Sequence, residues 1–311
     1  MSQKRRSKAI DYSVYLVVRM LVCVLQALPR KLAYAFGNCL AWLAYRINKR
    51  HRLVAADNLR HAFPEKSDRE IDGLVRGCYR HFCTMLVEIV MLPRIMTIEN
   101  YRDRGRLVNL HTGIRSLVES RPMMLVLGHF GNWELAGYAL GAFGFKTYAI
   151  ARVLDNPYLE QFLKRFRQKT GQTIIAKNDD FERLQKALRA GATVATLADQ
   201  DAGPRGVFVE FFGRPASAHK AVALMAMEFN ALMVVTGTPR VGNRYELVGE
   251  EVIDPSEYAN RGDAVKAITQ RYHNALERLI RRNPEQYFWL HRRWKSRPAE
   301  KKAKAPLANA A

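Results

Sequence analysis

A histidine and a glutamate stand close together where a buried strand is expected to end. The stretch "LVLGHFGNWELAGYAL", Leu125 to Leu140, carries His129 after its apolar run and Glu134 in the first turn of a predicted helix. A carboxylate that holds one imidazole nitrogen fixes the tautomer and raises the basicity of the other nitrogen. Because the stretch contains no serine or cysteine, the pair suits a general base that activates an incoming hydroxyl for direct acyl transfer between bound substrates.

The alternation of apolar runs and helical stretches predicts the elements that position this pair. The runs "PMMLVLG", "KTYAIAR", "TVATLAD", "ALMVVTGTPR" and "RYELVGEEVI" suit strands. Helical stretches such as "WELAGYALGAFG" and "FERLQKALRAG" lie between them. We therefore predict an α/β fold with a mostly parallel central sheet flanked by helices. In such folds ligands gather beyond the carboxyl ends of the strands, which is where His129 is expected.

Charge and cysteine content limit the classes of partner. The chain has 311 residues, enough for a large buried core, and a formal net charge of +21. Such an excess predicts a negatively charged partner, which could be nucleic acid, an anionic membrane or an acidic protein. The cysteines form no CxxC pair, so we interpret them as core or membrane-facing thiols.

The N-terminal segment favours a membrane over nucleic acid. The run from Tyr12 to Leu28 is apolar except for Ser13, Arg19 and Gln26, and it follows a basic start. It falls slightly short of the roughly 20 apolar residues that a straight membrane span requires. We predict an uncleaved anchor helix that is tilted or lies in the interface, with its basic end in the cytoplasm. The alternative is a pair of buried helices in a soluble protein.

Four stretches, in order, resemble one enzyme family. "GHFGNWELAG" is similar to the HX4(D/E) motif of the lysophospholipid acyltransferase superfamily, and more narrowly to the bacterial lipid A biosynthesis lauroyl/myristoyl (secondary) acyltransferase family. The stretches "ARVLDNPYLEQFLKRFRQKTG", "LADQDAGPRGVFVEFFGRPAS" and "NPEQYFWLHRRWKSRP" match further along the chain. The resemblance covers nearly the whole sequence and makes His129 and Glu134 the expected catalytic residues.

The resemblance implies a membrane-bound enzyme at the cytoplasmic face of the bacterial inner membrane. It would move a fatty acyl chain from acyl carrier protein to a hydroxyl of a lipid A precursor, with no cofactor and no metal. The implied partners are acyl carrier protein, a phosphorylated lipid acceptor and an anionic membrane surface, but not nucleic acid. One alternative is transfer to another glycolipid or phospholipid, with acyl-CoA as a donor. A non-catalytic membrane-bound anion or nucleic-acid binder is a second alternative.

Three segments are expected along the chain. Residues 1–48 would form the basic start and the membrane-anchor or interfacial helices, residues 49–298 the acyltransferase domain, and residues 299–311 a disordered basic tail. Two helices are predicted at the start of the acyltransferase domain. Ser67 and Glu70 have the spacing of a capping box at the beginning of the second helix.

Two arginines are candidates for binding an acceptor phosphate. Arg152 follows a predicted strand and precedes a helix, and Arg205 lies between Pro204 and Gly206 in a loop. A guanidinium can hold phosphate through a planar fork of donors. The resemblance makes Arg152 a substrate-contacting residue, and Arg205 could meet an acceptor phosphate as well.

Further candidates for substrate binding surround the histidine in the predicted fold. They are Gly131, Asn132, Asp199 and Gln200. Asp199 and Gln200 follow a strand directly, so they could orient His129, bind acceptor hydroxyls or secure the loop. Backbone donors near the glycine-rich turn could stabilise an oxyanion. Glu210 is an alternative carboxylate partner for the histidine.

Two apolar or aromatic stretches suggest contact with lipid. "VFVEFF" offers an apolar face to an acyl chain or to the bilayer. "NPEQYFWLHRRWKSRP" combines aromatic rings with cations, which suits nucleic acid or the end of a helix at a membrane interface. The resemblance favours the membrane. His219 is interpreted as a helix-start residue, and the run "SAHKA" replaces a threonine-rich run of the family, which leaves acceptor specificity open.

Overall fold

A central sheet covered by helices places His129 and Asp199 at one edge. The computed structural model describes residues 7–97, 99–119, 121–151, 153–168, 171–176 and 181–298. The helices are α1 Lys8–Ala27, α2 Arg30–Ile47, α3 Lys49–Ala62, α4 Asp68–Ile95, α5 Tyr101–Arg104, α6 His111–Val118, α7 Trp133–Ala142, α8 Pro157–Gln168, α9 Phe181–Arg189, α10 Lys220–Glu228 and α11 Ala264–Arg282. The strands are β1 Gly105–Val108, β2 Met123–Leu127, β3 Thr147–Ala151, β4 Gln172–Ala176, β5 Thr193–Leu197, β6 Val207–Phe211, β7 Arg214–Ala218, β8 Leu232–Gly237, β9 Arg240–Val241 and β10 Arg244–Ile253.

The central sheet is mostly parallel, as the sequence predicts. Its strand order is β1-β10-β8-β2-β5-β3-β4, and β9 pairs with β10. Strand β2 lies between β8 and β5 and is parallel to both, whereas β10 is antiparallel to β8. Every residue of β2 is buried, because the strand is central and both faces of the sheet are covered around it. This explains its uninterrupted apolar run.

A hairpin follows the loop that comes after β5. Strands β6 and β7 pair antiparallel. The expectation that "VFVEFF" offers an apolar face to lipid is wrong, because Val209 and Phe211 are buried in the protein core. Glu210 alternates to the exposed side, and its backbone N–H donates to the side chain of Gln270 on α11.

Helix α4 begins where the sequence predicts and supports the site from behind. Ser67 and Glu70 form the complete capping box, with the Ser67 N–H donating to the Glu70 carboxylate at 2.9 Å. One face of the helix is buried along most of its length. Gly37 of α2 lies against Val87 on this helix, so the N-terminal helices pack onto the body of the protein.

Helix α1 is a candidate membrane anchor by its length and apolar composition. It packs on α8, where the Asn156 amide donates to the Asp11 carbonyl oxygen at 2.8 Å and the Arg19 guanidinium lies 4.8 Å from the Phe162 ring centre. Arg19 therefore lies on the side that contacts protein. The opposite sides of α1 and α2 expose large apolar side chains, namely Ile10, Leu16, Val17, Met20, Val24, Leu32, Trp42 and Ile47.

The segment after α11 is buried instead of lying at a membrane interface. Tyr287, Trp289 and Trp294 belong to the main core, and the Arg293 side chain is also buried. Helix α11 ends at Arg282, just before Pro284, and the chain then passes the turn after β2, where the Phe288 N–H donates to the His129 carbonyl. The prediction of aromatic residues at a membrane interface is therefore wrong for this segment. Residues 299–311, predicted as a disordered tail, lie outside the described residues.

Candidate active site

The turn between β2 and α7 is fixed by backbone hydrogen bonds to distant segments. The Gly131 N–H donates to the Gln286 carbonyl at 3.0 Å, and the Asn132 N–H donates to the Thr238 carbonyl at 2.8 Å. Gly131 has a φ of +62°, and a methyl group there would overlap the Thr238 carbonyl. Because these two N–H groups are already bonded, the expectation that they stabilise an oxyanion is not what the structure shows.

Asn132 begins helix α7 and is completely buried. Its side-chain oxygen accepts from the Leu135 N–H at 3.2 Å, and its amide nitrogen lies 3.5 Å from the Glu88 carboxylate. Glu88 is also paired with Arg240 at 3.0 Å, and burial raises the Glu88 pKa despite that neighbour. Asn132 thus orders the turn from inside the protein, and the predicted contact with substrate is replaced by this supporting role.

Asp199 holds the imidazole of His129. The His129 Nδ1 lies 2.7 Å from the Asp199 Oδ1, and the His129 backbone N–H donates to Oδ2 at 2.9 Å. The carboxylate of Asp199 is fully buried, whereas the histidine side chain keeps 18% of its exposure. The two residues meet because β2 and β5 are parallel neighbours, so their carboxyl ends lie side by side. Of the three roles considered for Asp199, the structure shows that it orients His129.

The two groups shift each other's pKa in favour of an ion pair. Burial lowers the pKa of His129, but the charge and the hydrogen bond of Asp199 outweigh it, so the net shift is upward from 6.5. Burial raises the pKa of Asp199, and the charge and hydrogen bond of His129 more than reverse this. With an ionised Asp199 as acceptor, the neutral imidazole carries its proton on Nδ1, which leaves Nε2 as the basic atom.

Glu134 lies near His129 but pairs with a different residue. Its two carboxylate oxygens accept from the Arg167 guanidinium, with Nε 2.9 Å from Oε2 and Nη2 bonded to Oε1. Both side chains are largely buried, with 11% of Glu134 and 22% of Arg167 exposed. The expected contact from Glu134 back to the imidazole is therefore corrected. The first turn of α7 directs this carboxylate towards α8, whereas the Nδ1 of His129 faces β5.

A cavity of about 530 Å³ opens beside these residues. It lies between the sheet and helices α7 to α10. Its polar lining includes His129, Glu134, Arg167, Gln200 and His219. The remaining walls are mainly apolar and include Leu125, Leu127, Leu140, Ala149, Ile150, Leu163, Ile175, Leu184, Val222 and Met225. An imidazole base beside a mainly apolar cavity suits chemistry at the polar end of an apolar molecule.

The other candidate residues fall into separate groups. Gln200 is exposed and lines the cavity, and His219 directly precedes α10 as predicted. Arg205 is exposed in the turn before β6. Glu210 is exposed on the hairpin beside α11 and lines a different depression, so the structure does not bring it to His129. Arg152 lies outside the described residues.

Several residues that build the site were missed by reasoning from sequence. Arg167 lies within one of the matched stretches, but a cation on an amphipathic helix resembles an ordinary surface charge. Glu88 had a clearer signal, because an acid within the apolar run "MLVEIVML" is expected to be buried and paired. The backbones of two later residues also hold the turn: the Gln286 carbonyl accepts from the Gly131 N–H, and the Phe288 N–H donates to the His129 carbonyl at 2.9 Å. Almost any residue type can make a backbone hydrogen bond, so the sequence carries no signal of these contacts.

Comparison with known proteins gives consistent results along the chain. A family model described as "Bacterial lipid A biosynthesis acyltransferase" matches residues 1–296. The lipid A biosynthesis lauroyltransferase of Escherichia coli is 28% identical over 288 residues, which cover 87% of this chain and 88% of that protein. The lipid A biosynthesis palmitoleoyltransferase of the same organism is 28% identical over 280 residues, covering 87% of each chain. A phosphatidylinositol mannoside acyltransferase of Mycobacterium tuberculosis is 27% identical over 213 residues, or 67% of this chain and 66% of that protein.

Proposed function

Since the chain belongs to the bacterial lipid A biosynthesis acyltransferase family, we propose that it moves a fatty acyl chain from acyl carrier protein to a hydroxyl of a lipid A precursor. Membership of the family supports an acyltransferase that acts on lipid A. The observation that carries the finer proposal is the apolar cavity that ends at a His129 oriented by Asp199. The acyl chain would lie in the cavity, with its thioester at the imidazole.

In the proposed reaction, His129 acts as the general base. Its Nε2 takes the proton of the acceptor hydroxyl while the hydroxyl oxygen attacks the thioester carbonyl carbon. The tetrahedral intermediate collapses, the carbon–sulfur bond breaks, and the imidazolium returns its proton to the departing thiolate. The products are an ester and a free thiol. Asp199 holds the proton on Nδ1 throughout and stabilises the imidazolium that forms between the two steps.

Glu134 and Arg167 contribute indirectly in this proposal. Their ion pair joins α7 to α8 across the wall of the cavity, close to His129. An ionised pair at this depth is held in one geometry by two parallel hydrogen bonds. We assign Glu134 as a positioning residue, which fixes Arg167 so that its cationic surface faces the charged part of the substrates.

The cationic character of the protein fits the proposed partners. The net charge of +21 suits an acidic carrier protein, a phosphorylated acceptor and an anionic membrane. Arg205, which is exposed in the turn before β6, and Arg152 are the proposed phosphate contacts. Helix α1, with its exposed apolar side, would attach the enzyme to the cytoplasmic face of the inner membrane.

A second candidate function differs only in the acceptor. The similarity to a phosphatidylinositol mannoside acyltransferase shows that related chains serve a glycolipid acceptor other than lipid A. In either case the cavity would hold the acyl chain of the donor, because the donor chain is common to both reactions.

A transfer assay with the full-length protein in detergent tests the proposal. Lipid A precursor and acyl carrier protein loaded with a fatty acyl chain are incubated with the enzyme, and mass spectrometry detects the product. We expect the acceptor to gain the mass of one acyl chain, and His129→Ala to abolish the gain. Acyl-CoA replaces the carrier protein in a parallel reaction to identify the donor. A wild-type protein that acylates phosphatidylinositol mannoside but not lipid A precursor would support the second candidate, and no product with any donor or acceptor would refute both.

A further inference from the structure

The apolar cavity ends in polar side chains on the side away from His129. Thr147 and Gln172 are the first residues of β3 and β4, and they lie opposite each other in the parallel ladder. His129 lies two residues beyond the end of β2, at the opposite edge of the sheet. Both Thr147 and Gln172 line the cavity and are buried, with 1% and 8% of their surface exposed. The Thr147 hydroxyl has no hydrogen-bond partner among the residues that the structure describes.

Gln172 occupies space that is open only because residue 137 is glycine. A methyl group at Gly137, in the middle of α7, would overlap the amide nitrogen of Gln172. Glycine inside a helix costs about 1 kcal/mol relative to alanine, so the local structure alone would favour alanine here. The side chain of Gln172 therefore lies directly against α7 at the wall of the cavity.

We propose that Gly137, Thr147 and Gln172 form a cavity floor that sets the longest acyl chain the enzyme accepts. This inference rests on the proposed function, because it assigns the cavity to the acyl chain of the donor. The methyl end of a chain that reaches the cavity floor meets an amide and a hydroxyl. That methyl end can form no hydrogen bond with either group, and a chain longer than the cavity would overlap the Gln172 and Thr147 side chains, which are already buried.

Two substitutions should move the chain-length preference in opposite directions. Gln172→Ala removes the amide and deepens the cavity, so longer donors should fit. Gly137→Ala adds a methyl group that pushes the flexible end of Gln172 into the cavity, so shorter donors should be favoured. In the double variant the new methyl group occupies the space that the Gln172 side chain has vacated. The effect of Gly137→Ala should therefore disappear in the Gln172→Ala background.

Matched controls are available on exposed parts of two helices. Gly73 lies in α4, is exposed, and has no atom within 4 Å of an added methyl group. Gln161 lies in α8 and is exposed. Gly73→Ala and Gln161→Ala repeat the chemical changes away from the cavity, so both should leave the chain-length preference unchanged.

The experiment measures kcat/KM for competing acyl donors of different chain lengths with the full-length enzyme. One methylene in an apolar pocket changes discrimination by about 10- to 200-fold. For Gln172→Ala we expect the ratio of the next longer donor to the preferred donor to rise at least 10-fold. For Gly137→Ala we expect the ratio of the preferred donor to the next shorter one to fall by a similar factor. Folded variants that turn over with the wild-type preference would overturn the proposal.

Binding measurements separate this proposal from the proposed function. A series of saturated fatty acids of increasing length is added to each variant, and the rise in melting temperature is recorded. The length that gives the largest rise should be longer for Gln172→Ala and shorter for Gly137→Ala. That shift would support the cavity floor even if no acyl transfer were found, in which case the proposed function would fail alone. An unchanged optimum length in both variants would overturn the cavity floor.

Discussion

Asp199→Asn is the substitution that tests the site most directly. The carboxylate accepts two hydrogen bonds from His129, one from the ring Nδ1–H at 2.7 Å and one from the backbone N–H at 2.9 Å. An asparagine has only one oxygen, so it cannot satisfy both donors. If the oxygen faces the ring, the amide hydrogens meet the backbone N–H. If the oxygen faces the backbone, the amide donates to Nδ1 and moves the ring proton to Nε2, where the base is needed.

The expected size of the effect follows from the charge as well as the tautomer. Opposite unit charges about 4 Å apart attract by about 4 kcal/mol at an effective dielectric constant of about 20. In the wild type this attraction outweighs burial and raises the pKa of His129 above 6.5. Without it, burial remains and should lower that pKa. General base catalysis is worth roughly 10²–10⁴-fold. We therefore expect the plateau value of kcat/KM to decrease by a factor within that range.

The assay is the pH dependence of kcat/KM for acyl transfer. A base works in its neutral form, so activity should rise with pH through the pKa of His129. The half-maximal point should lie above pH 6.5 in the wild type and shift to lower pH in Asp199→Asn. Asp201→Asn is the matched control, because Asp201 accepts from Gly203 and Ser296 instead of His129, and it should leave the half-maximal pH unchanged.

A double variant completes this test. If Asp199 acts only through His129, then His129→Ala with Asp199→Asn should be little slower than His129→Ala alone. A folded Asp199→Asn enzyme with the wild-type plateau and the wild-type half-maximal pH would refute the role assigned to Asp199. It would also remove the reason for placing the base at Nε2.

Two further predictions concern the ion pair and the anchor. Glu134→Gln leaves the guanidinium of Arg167 largely buried without its carboxylate, so we expect a loss of about 3–5 kcal/mol in unfolding free energy and reduced activity. Adding Arg167→Met should recover part of that stability in urea titrations; no recovery would argue against the pair. Deleting residues before Lys49 should weaken sedimentation with membranes, whereas high salt should not release the full-length protein, because apolar burial is not screened. Full-length protein that is wholly soluble at low salt would contradict the anchor.

Local patterns in the sequence predicted the framework of the fold. The run Met123–Leu127 is apolar at every position because β2 is central and covered on both faces, and this pattern is readable without the fold. The capping box of Ser67 and Glu70 is equally local, since both groups lie within one helical turn. The placement of His129 after β2 follows from the same reasoning. Each of these features depends on neighbours within a few residues.

The burial of later segments could not be predicted in this way. "VFVEFF" and "NPEQYFWLHRRWKSRP" have the composition of lipid-facing segments, but Phe211 and Trp289 are packed in the core. Apolar and aromatic residues lose water equally well in a bilayer, at an interface or inside a protein. Composition therefore indicates that a side chain is buried without indicating what covers it.

The partner of His129 was decided by the tertiary structure. The spacing of His129 and Glu134 suggested a pair within one turn of chain, yet the imidazole binds Asp199, 70 residues away along the sequence. The choice depends on strand order, since β5 lies directly beside β2 and presents Asp199 at the same edge. It depends also on side-chain direction, because the start of α7 turns Glu134 towards Arg167 on α8. The sequence by itself determined which residue types reach the carboxyl edge of the sheet, and only the packing of strands and helices decided which of them meet, because hydrogen bonds form between neighbours in space.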